Sequence, residues 1–454
     1  MTQHYNPDSR QPFPFILIFT LVLVFASVAI SQPALATDNT EQPVIHDNNM
    51  TVQVVFEGLK FPTSMAFLGP DDILILEKNE GTVNRIVNGV LLPEPLLDVN
   101  VSTESERGML GIAVAEGHLS NTAKYVFLYF TEAESTDAAD ALEGKTPLGN
   151  RVYRYELVDG KLINPKLILD LPSKERKYHN GGDIEIGPDN NLYVAVGSVA
   201  GDKIDNDSPA FDNSKVLNVK EGPDADGRGG ILRVTQDGKS VTEEGIIGNE
   251  YPLNLYYAYG IRNSFGIDFD PVTGYLWDTE NGPGNGDEIN LVEPGFNSGW
   301  KVIPGGVSSK QEVDIEEDLV NFNGKGQYSN PEFTWDYTVA PTEITFLNSD
   351  KYGKQYENDI FLGDYNNGYI YHFDLDEKRT GLTVDKIEAK SLKELRDAGI
   401  VFGEGFSGFP TKGQGADVIF NQGFGGITDL EVGPDGYLYV VSIGKGSIYR
   451  IFPS

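Results

Sequence analysis

The chain has no cysteine among its 454 residues, so neither disulfides nor thiolate chemistry can hold it together or drive a reaction. Positive charge is also sparse: 35 Lys and Arg stand against 68 Asp and Glu, a formal net charge of −33. Nucleic acids and anionic membrane surfaces are bound through cationic patches, so the charge balance argues against both as partners. The acidity leaves two compatible readings: a solvated surface suited to a salty exterior, and affinity for a cation that takes oxygen ligands, calcium above all. Helical patterning is scarce. The best case is residues 391–399, with Ser391 as N-cap, Glu394 three residues on and Gly399 as a stop.

Long uncharged runs are missing except near the start. Residues 15–30 follow Arg10 and precede Ala34, Leu35 and Ala36, the layout of a secretory signal with a small-residue cleavage site. A membrane tether through residues 15–30 stays open, and either reading puts the bulk of the chain outside the cytoplasm, secreted or anchored to the outer face of the cell membrane. The expected organisation is a signal or anchor over 1–36, a flexible lead-in over 37–50 and one folded domain over 51–454.

What the sequence does have is repetition. The stretch YHNGGDIEIGPDNNLYVAVGS, Tyr178 to Ser198, contains an alternating strand, a Gly-Pro-Asp-Asn turn and a second strand, which is a β-hairpin signal. Similar units recur from Ser64, Leu110, Ser264, Glu343 and Asp429. Self-similarity at about 45 to 80 residues per unit marks an all-β fold, the β-propeller, and six units predict six blades. The strand over residues 51–56 has no hairpin partner of its own, so it is expected to complete the last blade and close the ring.

Of the histidines, only His179 stands in a loop entering a strand with two glycines behind it, where backbone and ligand can approach closely. A neutral imidazole there could act as a general base, or the residue could be a plain loop histidine. His372 falls in an alternating strand and reads as structural. Arg262 and Asn263, where the fourth unit begins, could stabilise a developing oxyanion, or Arg262 could simply pair with a carboxylate. The run from Thr279 to Asn290 is rich in oxygen donors and turns, and suits calcium better than zinc, with a surface turn as the alternative.

These segments occur in a recognisable order: ERGMLGIA from Glu106, HNGG from His179, GILR from Gly230, GIRN from Gly260, ENGP from Glu280, DEIN from Asp287, NSGW from Asn297 and GPDGYLY from Gly433. The ordered set resembles the glucose/sorbosone dehydrogenase family over about residues 51–452. The resemblance implies a six-bladed propeller that oxidises an aldose, or a related alcohol or aldehyde, with pyrroloquinoline quinone (PQQ) and calcium, passing electrons to an external acceptor. It implies His179 as base, Arg262 as the group polarising the quinone, and Asn263 and Glu106 beside the cofactor. Carbonyls of Gly282 and Pro283 would hold the activating calcium, with Glu288 and Ser298 at a second, structural one. A homodimer stays open. Several family positions differ: Gly426 and Thr428 replace an Arg-x-Arg pair, Asn366 a Lys, Phe265 a Gln, Ser198 an Asp and Ile261 a His. Arg107, Arg228 or Lys412 could supply the missing charge. The alternatives are a non-catalytic calcium-binding propeller for a glycan or protein partner, and a calcium-dependent lactonase.

Overall fold

The computed structural model describes residues 43–45, 47, 49–116, 124–134, 147–173, 177–199, 214–284, 286–305, 313–335, 338–383 and 418–454. The signal or anchor segment, the expected helix over 391–399 and Lys412 lie outside them. Among the described residues, no helix is long and apolar enough to cross a membrane.

The structure is all-β, in the arrangement of a propeller. Among the described residues six sheets follow one another along the chain. Their innermost strands are Pro62–Gly69, Met109–Glu116, Ile184–Ile186, Ser264–Phe269, Pro341–Phe346 and Ile427–Val432. Each innermost strand packs against the next, and Ile427–Val432 packs back against Pro62–Gly69. The hairpins form where the turn chemistry predicts them. In the third sheet Asn190 takes φ +61, its N–H bonds the Gly187 carbonyl, and Asp189 Oδ1 accepts from Asn191 N. In the last sheet the same turn recurs, with the Gly436 N–H on the Gly433 carbonyl and Gly436 at φ +78.

The core between the sheets takes in residues of every innermost strand. Met65, Ile184, Ile267 and Ile344 are fully buried, and Ile112 and Leu430 nearly so. Each such side chain contributes about 1.5–3 kcal/mol by leaving water. The N-terminal strand Met50–Glu57 pairs antiparallel with the C-terminal Ser447–Pro453, from Met50 opposite Pro453 to Glu57 opposite Ser447. One expectation needs correcting. Val44 and Ile45, assigned to a flexible lead-in, pair with Gln422 and Asn421 and so add a short outer strand to the fifth sheet. That pairing spans almost the whole chain, which local pattern cannot reveal.

Candidate functional site

A cavity of about 600 Å³ opens at the ends of the innermost strands. Its walls include Glu106, His179, Arg262, Asn263 and Gly282, which are separated by up to 176 positions in sequence. His179 enters it from the loop before the third sheet, at φ +59. Glu106 Oε2 clamps that loop: it accepts from the backbone N–H of His179 at 2.6 Å and of Asn180 at 3.4 Å, and from Asn263 Nδ2 at 3.3 Å. Burial pushes the Glu106 carboxyl up, and these hydrogen bonds oppose that shift. The His179 ring, 3 % exposed, lies with Nδ1 3.3 Å from Ser198 Oγ. Gly197 allows the approach, because a Cβ there would stand 2.3 Å from the His179 carbonyl and 2.6 Å from Asn263 Oδ1.

Arg262 is 6 % exposed and fixed at several points. Its N–H donates to Glu280 Oε1 at 2.6 Å, a guanidinium nitrogen donates to the Asn281 carbonyl at 2.8 Å, and the guanidinium lies 5.5 Å from the centre of the Trp300 ring. Asn263 Oδ1 accepts from Gly181 N, tying the fourth sheet to the His179 loop. Gly282 is held by its N–H on Asp287 Oδ1, while Asp287 Oδ2 accepts from the N–H groups of Val339 and Ala340. Pro283 follows in the chain but is not part of the cavity wall.

Glu288 and Ser298 lie elsewhere, in a buried acidic group behind Arg262. Ser298 Oγ donates to Glu280 Oε2 at 2.5 Å and reaches Glu288 Oε2 at 3.4 Å, so Glu280 links this group to the Arg262 backbone. Asp278 is fully buried beside them, close to Asn290 and Ser264, and among the described residues neither of its carboxylate oxygens makes a hydrogen bond of good geometry. Burial first, then Glu280, pushes Asp278 up to about 8; burial also raises Glu280, to about 7, and Glu288. Oxygen donors left without protein partners at a buried carboxylate are what a hard cation would complete.

The proposed replacement cations fall differently from expectation. Arg107 is buried on the Ser173 carbonyl and Arg228 is paired with Asp226 at 2.6 Å; neither lines the cavity. Lys78 does, and sequence reading missed it. It follows the strand Asp72–Glu77, and burial lowers its ammonium to about 8, with Glu106 opposing. Its place just past a strand end was the available signal, but nothing local says which strand ends face the cavity. Thr428 and Phe265 line the cavity as well, whereas Ile261 is fully buried in the core and Asn366 donates to the Thr338 carbonyl.

A propeller whose innermost strands border a cavity lined by a buried Arg, a buried His and a carboxylate defines the class. The sequence profile of the glucose/sorbosone dehydrogenase family matches residues 59–450, and the chain belongs to that family of quinoprotein oxidoreductases. It is 23 % identical over 408 residues to the aldose sugar dehydrogenase of Escherichia coli, covering 89 % of this chain and 93 % of that protein. It is 28 % identical over 295 residues to quinoprotein glucose dehydrogenase B of Acinetobacter calcoaceticus, covering 62 % and 57 %. The PQQ-bound aldose sugar dehydrogenase of Streptomyces coelicolor shares the fold, with a TM-score of 0.58 at 21 % identity over 91 % of this chain and 100 % of that one.

Proposed function

We propose that the chain oxidises an aldose, or a related alcohol or aldehyde, with PQQ and calcium, and that the six sheets are the blades of one ring closed by the strand Met50–Glu57. The observation that carries the chemistry is the convergence of His179, Arg262, Asn263 and Gly282 on one cavity in a member of this family. PQQ is planar and carries several carboxylates, and the residues present fit it. Lys78 and Arg262 offer cationic contacts, and Phe265 and Tyr365 offer apolar faces. The carbonyls of Gly282 and Pro283 would hold its calcium, and Glu288, Glu280 and Ser298 a structural one. Bound there, PQQ supplies the acceptor for two electrons.

The chain's own residues do the rest. His179 takes the proton of the substrate hydroxyl, with Ser198 beside Nδ1 and Glu106 on its backbone keeping the ring in place. Arg262, braced by Glu280 and the Asn281 carbonyl, presents fixed positive charge where negative charge develops, and so needs no reorganisation during the reaction. The test is His179→Gln. PQQ binding, followed by the quinone spectrum, is retained and sugar-dependent reduction falls by at least ~100-fold. Wild-type turnover in the variant would remove His179 from the role of base.

A further inference from the structure

The oxidation uses the depth of the cavity and leaves its mouth unassigned. Exposure sets the depth: His179 and Arg262 are 3 % and 6 % exposed, whereas Tyr178 and Phe61, which line the same cavity, are 39 % and 56 % exposed. Apolar side chains scattered singly over a surface are ordinary, but these are not scattered. Among the described residues five aromatic side chains are exposed, Phe61, Tyr178, Tyr251, Tyr275 and Tyr365, and three of them line this one cavity. Tyr365 is taken up by the cofactor contact already proposed. Phe61 and Tyr178 have no part in the oxidation.

The backbone beneath both rings is held. Phe61 stands just before the innermost strand Pro62–Gly69 at φ +48, a conformation uncommon for a bulky residue and kept where the surroundings over-determine it. Its carbonyl accepts the N–H of Lys78 at 3.0 Å, and the next residue, Pro62, pairs with Glu77. Tyr178 precedes His179, whose N–H is clamped by Glu106. On its other side the Lys177 carbonyl accepts from Glu106 N at 3.3 Å and from Asn180 Nδ2 at 3.0 Å. Asn79, Thr103 and Ser105 line the cavity as well, and the hydroxyls of Thr103 and Ser105 make no hydrogen bond with a described residue.

Aromatic rings on a held backbone, with hydroxyls beside them that have no protein partner, match a ligand that has flat C–H faces and hydroxylated edges, which is a pyranose ring. A plain apolar alcohol would cover the rings and leave Thr103 and Ser105 desolvated and unpaired, which opposes binding. An acidic sugar would meet a chain of net charge −33. A ligand that touches both the buried His179 and the exposed rings has to extend from the depth of the cavity to its mouth.

We propose that Phe61 and Tyr178 form a subsite for the sugar rings that follow the one oxidised, and that the ligand is a neutral oligosaccharide entering reducing end first. Its role as substrate rests on the oxidation proposed above; its binding at the mouth does not.

The test titrates the full chain, in calcium-containing buffer without PQQ, with glucose, cellotriose and maltotriose by calorimetry at millimolar sugar. At least one trisaccharide binds at least ~10-fold more tightly than glucose, because further rings stack at the mouth. In Tyr178→Ala that ratio collapses towards one, and it does so in Phe61→Asn, which removes the ring while tolerating the positive φ. Tyr178→Phe keeps the ratio. The ratio is the readout because a disturbed His179 loop would weaken all three sugars alike. Equal affinity for the three sugars in wild type overturns the subsite, and so does a wild-type ratio in both ring-deleting variants. With PQQ added, the same ratio is read in kcat/KM. Trisaccharide binding without sugar-dependent reduction keeps the subsite and removes the oxidation; reduction with equal kcat/KM for the three sugars removes the subsite and keeps the oxidation.

Discussion

Lys78 sits in the cavity with an ammonium that burial lowers to about 8, so near neutral pH it is charged and above that value it is not. An amine in this state can pair with a carboxylate of the cofactor, and removing one such pairing costs about 1.5–3 kcal/mol, or roughly 10- to 100-fold in affinity. Lys78→Gln should raise the Kd for PQQ by that factor at pH 7. In wild type the Kd should rise as pH passes through 8, because deprotonation removes the charge, and Lys78→Gln should flatten this rise; calorimetric titration from pH 6.5 to 9.5 checks both. His179, Arg262 and Asn263 were legible because each lies inside a short local motif. Lys78 and the bond from Arg262 N to Glu280 were not, because their meaning comes only from strands that converge across the sheets.

The same division holds for the elements. Hairpins built on Gly-Pro-Asp turns were readable, since the φ-positive residue and the alternating strands are neighbours in sequence. The partner of Met50–Glu57 was legible from a missing hairpin, whereas its register, with Met50 opposite Pro453, comes from the fold. The pairing of Val44 and Ile45 with Gln422 and Asn421 left no trace in the pattern, since two residues are too few to show alternation. A chain beginning at Met50 keeps the strand that covers Ser447–Pro453, and a chain beginning at Gly58 exposes that edge. The shorter chain should melt lower by roughly 10 °C or more and aggregate on heating, as followed by circular dichroism and light scattering. Equal melting temperatures would mean that the terminal pairing adds little.

For the whole molecule, the dominant feature is acidity that has been taken inside. Burial pushes Asp278 up to about 8 and Asp364 up to about 6, the latter despite hydrogen bonds from Asn367, Tyr369 N and Tyr371. A carboxyl whose folded pKa exceeds its unfolded one binds the proton more tightly when folded. Its contribution is therefore present below about pH 4 and lost as pH rises through the folded value. In calcium-free buffer, stability should fall between pH 5 and pH 8, and calcium should restore most of it at pH 8; urea midpoints at the two pH values measure this. A calcium-free protein more stable at pH 8 than at pH 5 would contradict that assignment.

The most direct test of the account is a titration of the chain with PQQ in the presence and absence of calcium, followed by an aldose panel, with the quinone spectrum as readout. The account predicts saturable, calcium-dependent binding at one PQQ per chain and bleaching of the oxidised spectrum on adding a sugar. Absence of saturable binding at micromolar PQQ with calcium present would contradict it, and would mean that Lys78 and Arg262 do not make up for the neutral residues Gly426, Thr428 and Asn366.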